Sequence, residues 1–572
     1  MNFQTAIACC AAAAILAGCH NNHCNTVRDC AASQRCVSSA CQDVGVSPGQ
    51  LGDSCRTVAD CGGGLTCAPE SAGFPSGMCS VDCSAAACPT ASSRCAQLTT
   101  GAQCAPTCTS DAVCRQGYTC CPSQGAVCLP TSLCVPPTCS RPVVASTLPP
   151  SQVIAFGPHQ VGDRLSFAVP ANTGSFTIVH QAKVAGLSVV FRGQTIDNSA
   201  VPGIVSQPDG TVVYNDFTFN PPQSPDGGFE PAGYFAYYGG GTPSTAAFTI
   251  PSTSTSLDAG IAAGNWQFTV NDYALECMDP AAGCTDGGVN TNIYDMSVLL
   301  RAKPAGTLLD VAFYIVANVN TRSGVPFTAT SATNDVDAQR MVKTFKALYA
   351  AAGITVRNVT FYDVPPGAQV RFGTNISADA TGPCDELDQM FTLSAAHPGN
   401  TMNLFLVQSI RSTSSSGGSV VGIDGTIPGP SSLNGTVHSG AAVSQADLFA
   451  GTCGTQTDLL RCGADTVAYI AAHETGHFLG LFHLTEKTGD YFDPLNDTPK
   501  CPCTTCASAA DKPNCGSKPG PSEPTLSAVQ CFVSPSCSGG DNLMFWQLDG
   551  QVSAGTLSPQ QANVMRLNPL VQ

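Results

Sequence analysis

Residues 473–483 read His473-Glu474-Thr475-Gly476-His477-Phe478-Leu479-Gly480-Leu481-Phe482-His483. Residues four apart on a helix share one face, so this spacing predicts that His473 and His477 direct their imidazoles at one metal ion. Gly480 can take a left-handed conformation without a Cβ clash, which would bring His483 back to the same ion. Three histidine ligands leave one coordination position for water, and this is typical of a catalytic rather than a structural zinc site.

The same stretch supplies a candidate general base and acid, Glu474, beside the first histidine. Zinc polarises a carbonyl and makes a bound water acidic near neutral pH, so a neighbouring carboxylate can take the proton of that water. The chain has nine histidines, and three of them fall within these eleven residues at this spacing, which argues against coincidence. The residues therefore predict hydrolysis of a peptide bond.

The five fixed positions of this motif resemble those of the metzincin zinc metallopeptidases. Met544, in Asp541-Asn542-Leu543-Met544-Phe545-Trp546, is similar to the methionine that these enzymes carry in a tight turn beneath the metal. The segments Gly489-Asp490-Tyr491 and Asn496-Asp497-Thr498-Pro499 resemble the pappalysin-like branch, although Phe545-Trp546 stand where that branch has Asp-Tyr. The resemblance covers roughly residues 305–572 and implies a zinc endopeptidase that acts on proteins or peptides, with Met544 supporting the site.

The N-terminus predicts export. Residues 1–18 contain an apolar run too short to span a bilayer, which is typical of a signal peptide. The run ends in Leu16-Ala17-Gly18-Cys19, which resembles a bacterial lipoprotein signal and implies lipidation of Cys19, although the first five residues hold no Lys or Arg. The alternative is an ordinary cleaved signal whose Cys19 joins a disulfide. We expect a secreted or surface-anchored protein, in the outer membrane or at the cell surface, that contacts the membrane only through this anchor.

Cysteines are concentrated in residues 19–140. Of 33 cysteines in the chain, nineteen lie between residues 24 and 139, with repeated five-residue gaps as in Cys55, Cys61, Cys67 and in Cys108, Cys114, Cys120. In an exported chain this pattern predicts a disulfide-rich repeat region. A metal cluster is the alternative, and the absence of paired C-x2-C spacings disfavours it.

Residues 141–303 are expected to form a β-sandwich accessory domain, because short β-rich runs alternate there with turn residues. The predicted strands are Ser166–Val169, Ser175–Val179, Leu187–Phe191, Thr211–Tyr214, Ala247–Ile250 and Asn265–Val270. The multidomain chain then ends in an α/β region, residues 304–572, with a metzincin-like mixed sheet packed on helices. The net charge of −16 argues against a nucleic-acid partner, which would need a basic stripe.

Within residues 304–572 the hydrophobic pattern predicts an ordered series of elements. Gly435–Gly440 is expected to be the edge strand that faces the substrate cleft, and Asp465 or Thr466 is expected to cap the histidine helix. The other elements are strands at Leu308–Val316, Ile354–Tyr362 and Met402–Val407, and helices at Thr333–Leu348, Asp385–Ala395 and Leu557–Arg566.

Three alternatives stay open. Asp490, Asp493 and Asp497 form either a calcium site or a solvated loop. The cysteines that follow the histidine motif predict disulfides rather than a second zinc site; they are Cys501, Cys503, Cys506, Cys515, Cys531 and Cys537. The competing function is a surface adhesion or binding lipoprotein in which the metzincin region is an inactive scaffold, and the presence of Glu474 favours the enzyme.

Overall fold

The computed structural model divides the chain into two compact units, residues 1–137 and 138–572. The structure describes residues 34–37, 40–43, 48–83, 86–98, 101–121, 126–130, 133, 144–145, 152–182, 188–191, 194–197, 199–215, 242–243, 245–273, 293–378, 386–412, 420–451, 462–516, 524–550 and 552–572. The predicted signal peptide and Cys19 lie outside these residues. The expectation of a multidomain chain is confirmed at the level of two units.

The first unit consists of short hairpins held by disulfides. Its strands are β1 (Gln34–Val37), β2 (Ala40–Asp43), β3 (Thr66–Ala68), β4 (Met78–Ser80), β5 (Ser93–Leu98), β6 (Gly101–Pro106), β7 (Tyr118–Cys121) and β8 (Val127–Pro130). The strands form four antiparallel hairpins: β1 pairs with β2, β3 with β4, β5 with β6, and β7 with β8. The predicted disulfide-rich character is confirmed.

Among the described cysteines of this unit, six disulfides repeat one connectivity three times: in each group of four cysteines, the first is joined to the third and the second to the fourth. The pairs are Cys55–Cys67 with Cys61–Cys79, Cys83–Cys95 with Cys88–Cys104, and Cys108–Cys120 with Cys114–Cys128. The repeated five-residue gap did not predict the middle copy, because four residues separate Cys83 from Cys88 whereas five separate the corresponding cysteines of the other copies.

The second unit begins with two facing antiparallel sheets. The elements are β9 (Val144–Ala145), β10 (Val153–Gln160), β11 (Arg164–Val169), β12 (Thr173–Ala182), β13 (Ser188–Phe191), β14 (Gln194–Asp197), β15 (Ser199–Ser206), β16 (Val212–Asn215), β17 (Thr242–Pro243), β18 (Thr245–Ile250), α1 (Ser254–Ala259), β19 (Gly264–Tyr273) and β20 (Ile293–Ala302). One sheet has the order β10-β20-β12-β18, and the other has the order β11-β19-β15-β16 with β17 on β15. Phe176, Trp266 and Phe268 are buried between the two sheets. The six predicted strands are confirmed among the described residues, and Leu187, predicted as the first residue of one of them, lies outside those residues.

An α/β region follows. Its elements are β21 (Leu308–Ile315), α2 (Ala329–Ala332), α3 (Val336–Ala351), β22 (Thr355–Asp363), α4 (Pro366–Phe372), β23 (Ile376–Ser377), α5 (Glu386–Phe391), β24 (Met402–Val407), β25 (Ile410–Arg411), β26 (Gly422–Asp424), β27 (Leu433–Asn434), β28 (Ala441–Ser444), α6 (Gly463–Phe478), α7 (Cys503–Cys506) and α8 (Pro559–Leu567). The sheet order is β22-β21-β24-β28-β26, with four parallel strands and β26 antiparallel at the edge.

The two faces of this sheet are covered by different helices. Side chains alternate along β21, so Phe313 and Ile315 pack with α3 and α6 whereas Ala312 and Tyr314 pack with α4 and α5. The sandwich lies against the same region: the Ser175 hydroxyl donates to the carbonyl of Leu567 in α8. The helix that carries the histidine motif is thus supported on its buried side by a continuous core.

The predicted edge strand at Gly435–Gly440 is wrong, since these residues form turns and β26 occupies the edge of the sheet. Local hydrogen bonds explain the difference. The Thr436 amide donates to Ser439 Oγ over 3.1 Å, and the hydroxyls of the same two residues are 2.6 Å apart. Such side-chain bonds compete with a strand ladder for the backbone.

The predicted cap of α6 is also wrong. The helix begins at Gly463 with Cys462 at the N-cap, and Asp465 lies inside the first turn, 1% exposed. There it accepts hydrogen bonds of 2.8 and 2.9 Å from the guanidinium of Arg340 on α3. A tertiary ion pair therefore uses the carboxylate that the sequence pattern offered as a cap.

The six cysteines after the histidine motif form disulfides, as predicted: Cys501–Cys531, Cys503–Cys515 and Cys506–Cys537. They hold together the segment between the histidine motif and Met544. The closing helix is likewise confirmed as α8, which Ser558 caps by accepting from the Gln561 amide. In the part of the chain that the structure describes, no helix is long and apolar enough to cross a bilayer.

Candidate metal centre

Three imidazoles converge at one point. Helix α6 places His473 and His477 one turn apart, and their Nε2 atoms are 3.1 Å apart. The Nε2 atom of His483 lies 3.2 Å from that of His477 and 3.3 Å from that of His473. The structure thus brings together the three histidines that the sequence singled out.

A helix C-cap returns His483 to the other two rings. Gly480 has φ +107°, so the predicted left-handed conformation is confirmed. The Leu481 amide donates to the carbonyl of Gly476, and the Gly480 amide donates to the carbonyl of His477. This pair of bonds is the Schellman motif, which satisfies the last helical carbonyls while it reverses the chain.

Each ring is oriented by an acceptor on its other nitrogen. His473 Nδ1 lies 2.6 Å from the carbonyl oxygen of Leu543, and His477 Nδ1 lies 2.7 Å from that of Leu481. His483 Nδ1 lies 3.1 Å from both carboxylate oxygens of Glu486. Because carbonyl and carboxylate oxygens only accept, each Nδ1 carries a proton, so in the neutral ring Nε2 presents a lone pair.

Burial keeps two of these rings neutral. It lowers the pKa of His473 to about 3, and the neighbouring His483 imidazole adds to the effect. It also lowers the pKa of His477 well below its usual range, together with the neighbouring rings. Neutral imidazoles with converging lone pairs form a donor set for a metal ion, and these three histidines can hold one.

Met544 lies beneath α6. Its side chain is fully buried, and a Cβ at Gly476 would come within 2.5 Å of its Sδ atom. The turn that carries it is fixed by Asn542, whose side-chain oxygen accepts from the Met544 amide and whose carbonyl accepts from the Tyr469 hydroxyl. The same turn supplies the Leu543 carbonyl that orients His473, so the helix and the turn position each other.

Glu474 projects from α6 toward the edge strand β26. Burial raises its pKa well above the usual range, and the neighbouring carboxylate of Asp424 raises it further, while the Asp424 amide donates a hydrogen bond to it and lowers it. A Cβ at Gly422 would lie 2.2 Å from Glu474 Oε1. A glycine at residue 422 therefore makes room for this carboxylate.

Above the histidines and Glu474 lies a cleft of about 770 Å³. One wall is the β26 segment, and another is Phe545, Trp546 and Leu548, which follow Met544. Burial raises the pKa of Asp424, which also lines the cleft, to about 7. The cleft is large enough for a peptide segment or a small ligand.

Sequence reasoning missed several residues around these rings. Glu486 lies three residues after His483, so its position in the sequence could have predicted that its carboxylate contacts this histidine. Gly422 and Asp424 reach the site only through the pairing of β26 with β28, and Leu543 contributes a backbone carbonyl that has no side-chain signature.

The three aspartates considered for calcium are bound to different parts of the protein. Asp493 accepts from the Thr498 hydroxyl, and Asp497 accepts from the Ser558 hydroxyl and the Gln560 amide. Asp490 accepts from the Gly516 amide over 3.4 Å. Each carboxylate thus has its own structural partner.

Comparisons with known proteins add little. No family model and no curated protein matches the chain. Among solved structures, one similar chain is an active-site mutant of a family two carbohydrate esterase from Clostridium thermocellum, in complex with celluohexase. The identity is 11%, the match covers 47% of this chain and 66% of that one, and the TM-score is 0.11. A TM-score this low carries no argument about fold or function.

Proposed function

We propose that the chain is an exported, zinc-dependent endopeptidase of the metzincin type. The observation that carries the proposal is the convergence of three Nε2 atoms, 3.1 to 3.3 Å apart, beside the buried carboxylate of Glu474 in an open cleft. In the neutral rings the three Nε2 lone pairs point toward one another and repel. A cation at their centre would accept all three lone pairs and remove this repulsion.

The donor set fits zinc. A tetrahedral ion about 2.0–2.1 Å from each nitrogen would hold the nitrogens about 3.3 Å apart, close to the observed spacing. Three imidazoles suit zinc, copper, iron or nickel and do not suit calcium or magnesium, which prefer oxygen. A set of three protein ligands with an open position is typical of catalytic zinc. When bound there, the metal supplies Lewis-acid polarisation of a carbonyl and of water.

The chain's own residues supply the remaining chemistry. Glu474 lies beside the three nitrogens and faces the cleft, so it can accept a proton from water and return it to the leaving amine. The Asp424 amide holds the Glu474 carboxylate in place, and Met544 supports the helix from below. Glu474 is therefore assigned as general base and acid, and Met544 as a supporting residue.

The cleft suits an extended peptide. Strand β26 has β28 as its one neighbour among the described strands, and its outer edge borders the cleft. Exposed backbone groups on such an edge can pair with a substrate strand, which would place a scissile carbonyl above the histidines. The substrate class that this geometry favours is a protein or peptide in extended form.

Export is part of the proposal. The disulfides of both units are typical of an oxidising compartment outside the cytoplasm. A lipid anchor at Cys19 stays a prediction, and mass spectrometry of the mature N-terminus tests it.

The test uses the purified full-length chain. We expect one equivalent of zinc per chain by elemental analysis, and cleavage of an unfolded protein substrate with identifiable sites. Glu474→Gln should retain the zinc and lose about 10²–10⁴-fold in kcat/KM, because only the proton-transfer group is removed. Glu386→Gln, on α5 at the other face of the sheet, is the matched control and should behave as wild type.

Two outcomes would refute the proposal. Equal cleavage by wild type and Glu474→Gln would remove the assigned mechanism. A protein that binds zinc but cleaves no substrate would favour the alternative, a surface adhesion or binding lipoprotein with an inactive scaffold.

A further inference from the structure

A second cavity lies on the face of the sheet that carries α4 and α5. It has a volume of about 410 Å³, and its walls come from the ends of β21 and β22 and from the segment after α5. The residues that define it are Tyr314, Val364, Pro365, Pro366, Leu393 and His397. Because α6 packs on the opposite face of the sheet, this cavity is separate from the histidine cleft.

The wall is mainly apolar, and of its two buried hydroxyls that of Thr392 donates to the carbonyl of Gln389. Tyr314 is 1% exposed, and among the described residues its hydroxyl has no hydrogen-bond partner. Its ring is stacked on Phe405, with 4.6 Å between centroids and an interplanar angle of 14°, so the hydroxyl is held in position. Burial raises the pKa of this phenol, which keeps it neutral and able both to donate and to accept. A buried hydroxyl without a partner is costly, and a ligand that bonds to it would remove that cost.

The charges of the lining residues disfavour an anionic ligand. None of the described lining residues is Lys or Arg, and the one carboxylate, Asp363, accepts a hydrogen bond of 2.8 Å from the Ala329 amide. Ring side chains make up much of the remaining wall. Pro365 and Pro366 line the cavity together with the His397 imidazole, which is stacked on Tyr362 with 3.8 Å between centroids. Ring side chains of this kind pack well against an aromatic ligand.

We propose that this cavity binds a neutral aromatic ring bearing one hydrogen-bonding atom, which pairs with the Tyr314 hydroxyl. A tyrosine side chain in a peptide and a free phenol share this chemistry. The cavity volume lies in the range of small-molecule sites, and such sites usually orient a ligand through a few polar groups in a mainly apolar wall. The site does not depend on the proposed peptidase function.

The test is a titration of the full chain with p-cresol and with toluene, followed by calorimetry and by saturation-transfer NMR. We expect p-cresol to bind about fivefold more tightly than toluene, as one net hydrogen bond predicts. Tyr314→Phe keeps the ring and its stacking, so it should abolish this preference while toluene still binds. Leu393→Trp should fill the cavity and prevent binding of both compounds.

A second arm identifies the source of the ligand. If N-acetyl-tyrosinamide binds as tightly as p-cresol and N-acetyl-phenylalaninamide binds more weakly, the site takes a peptide side chain; if only p-cresol binds, it takes a free phenol. Failure of both p-cresol and toluene to bind, or unchanged p-cresol affinity in Tyr314→Phe with an unaltered melting temperature, would overturn the proposal. Glu474→Gln should bind p-cresol as wild type does, which separates this result from the fate of the peptidase proposal.

Discussion

Gly422 on the edge strand and Glu474 on α6 are so close that a single added carbon would overlap the carboxylate, since a Cβ at residue 422 would lie 2.2 Å from Glu474 Oε1. Gly422→Ala should therefore displace Glu474 from its position beside the three histidines. We expect kcat/KM for peptide hydrolysis to fall by about 10²-fold, as misplacement of a catalytic group typically costs. The measurement is steady-state cleavage of a fluorogenic peptide.

The control for this prediction is Gly399→Ala. The nearest atom to a Cβ at residue 399 is the methyl carbon of Thr401, at 3.3 Å, so this variant adds the same carbon away from the cleft. It should keep full activity. If Gly422→Ala is as active as Gly399→Ala, Glu474 does not act from the position observed here.

The ion pair between Arg340 and Asp465 should stabilise the packing of α3 on α6. Asp465 is 1% exposed and receives two guanidinium bonds, so Arg340→Met would leave a buried, uncompensated carboxylate. Loss of one partner of a buried pair costs about 3–5 kcal/mol. Chemical denaturation should show a loss in the free energy of unfolding of this order.

Two further variants check the cause. Arg357, on β22, pairs with Asp310 on β21, and the two side chains are 42% and 16% exposed, so Arg357→Met should cost much less stability than Arg340→Met. The double variant Arg340→Met with Asp465→Leu should recover most of the lost stability, because it leaves no buried charge. An Arg340→Met protein as stable as Arg357→Met would contradict the assignment.

Glu486 should tune metal affinity through His483. Its carboxylate oxygens lie 3.1 Å from His483 Nδ1, the nitrogen opposite the one that faces the site. Removal of such an orienting partner costs about 10–100-fold in metal affinity. We expect this loss in Glu486→Ala, measured by zinc competition with a chelator. Glu486→Gln retains an acceptor oxygen and should lose less, and Glu386→Gln should lose nothing.

His180 should make the sandwich sensitive to acid. Its ring lies between Phe268 and Tyr294, is fully buried, and neither ring nitrogen has a partner among the described residues. Burial lowers its pKa to about 3. The folded state therefore prefers the neutral ring, so this contribution to stability is complete above about pH 6.5 and is lost as pH falls toward 3, by up to about 1.4 kcal/mol per pH unit.

Urea denaturation between pH 4 and 8 measures this effect. His180→Met replaces the ring with an apolar side chain and should show a smaller fall in stability with acid than wild type. Val298→Ala removes buried apolar atoms from the same core and no titratable group, so it serves as control, with an acid response like that of wild type. Parallel pH profiles for wild type and His180→Met would show that His180 is not the group responsible.

Local patterns predicted much of the α/β region. The strand at Leu308–Ile315, the helix at Val336–Ala351 and the capped helix at Pro559–Leu567 all follow from hydrophobic spacing and a polar cap. The failures at Gly435–Gly440 and Asp465 have a common reason. In both places, hydrogen bonds or an ion pair that depend on the surrounding structure outweighed the local preference.

For this chain, sequence alone determined the convergence of the three histidines and the concentration of disulfides, because both depend on short-range spacing. The periodicity of a helix places His473 and His477 on one face, and Gly480, which can adopt a left-handed conformation, allows the chain to bring His483 to them. Only the tertiary structure decided which strand borders the cleft, which carbonyl and carboxylate orient the rings, and which cysteines pair. Those contacts join residues far apart in sequence, and they arise when sheet, helices and loops pack together.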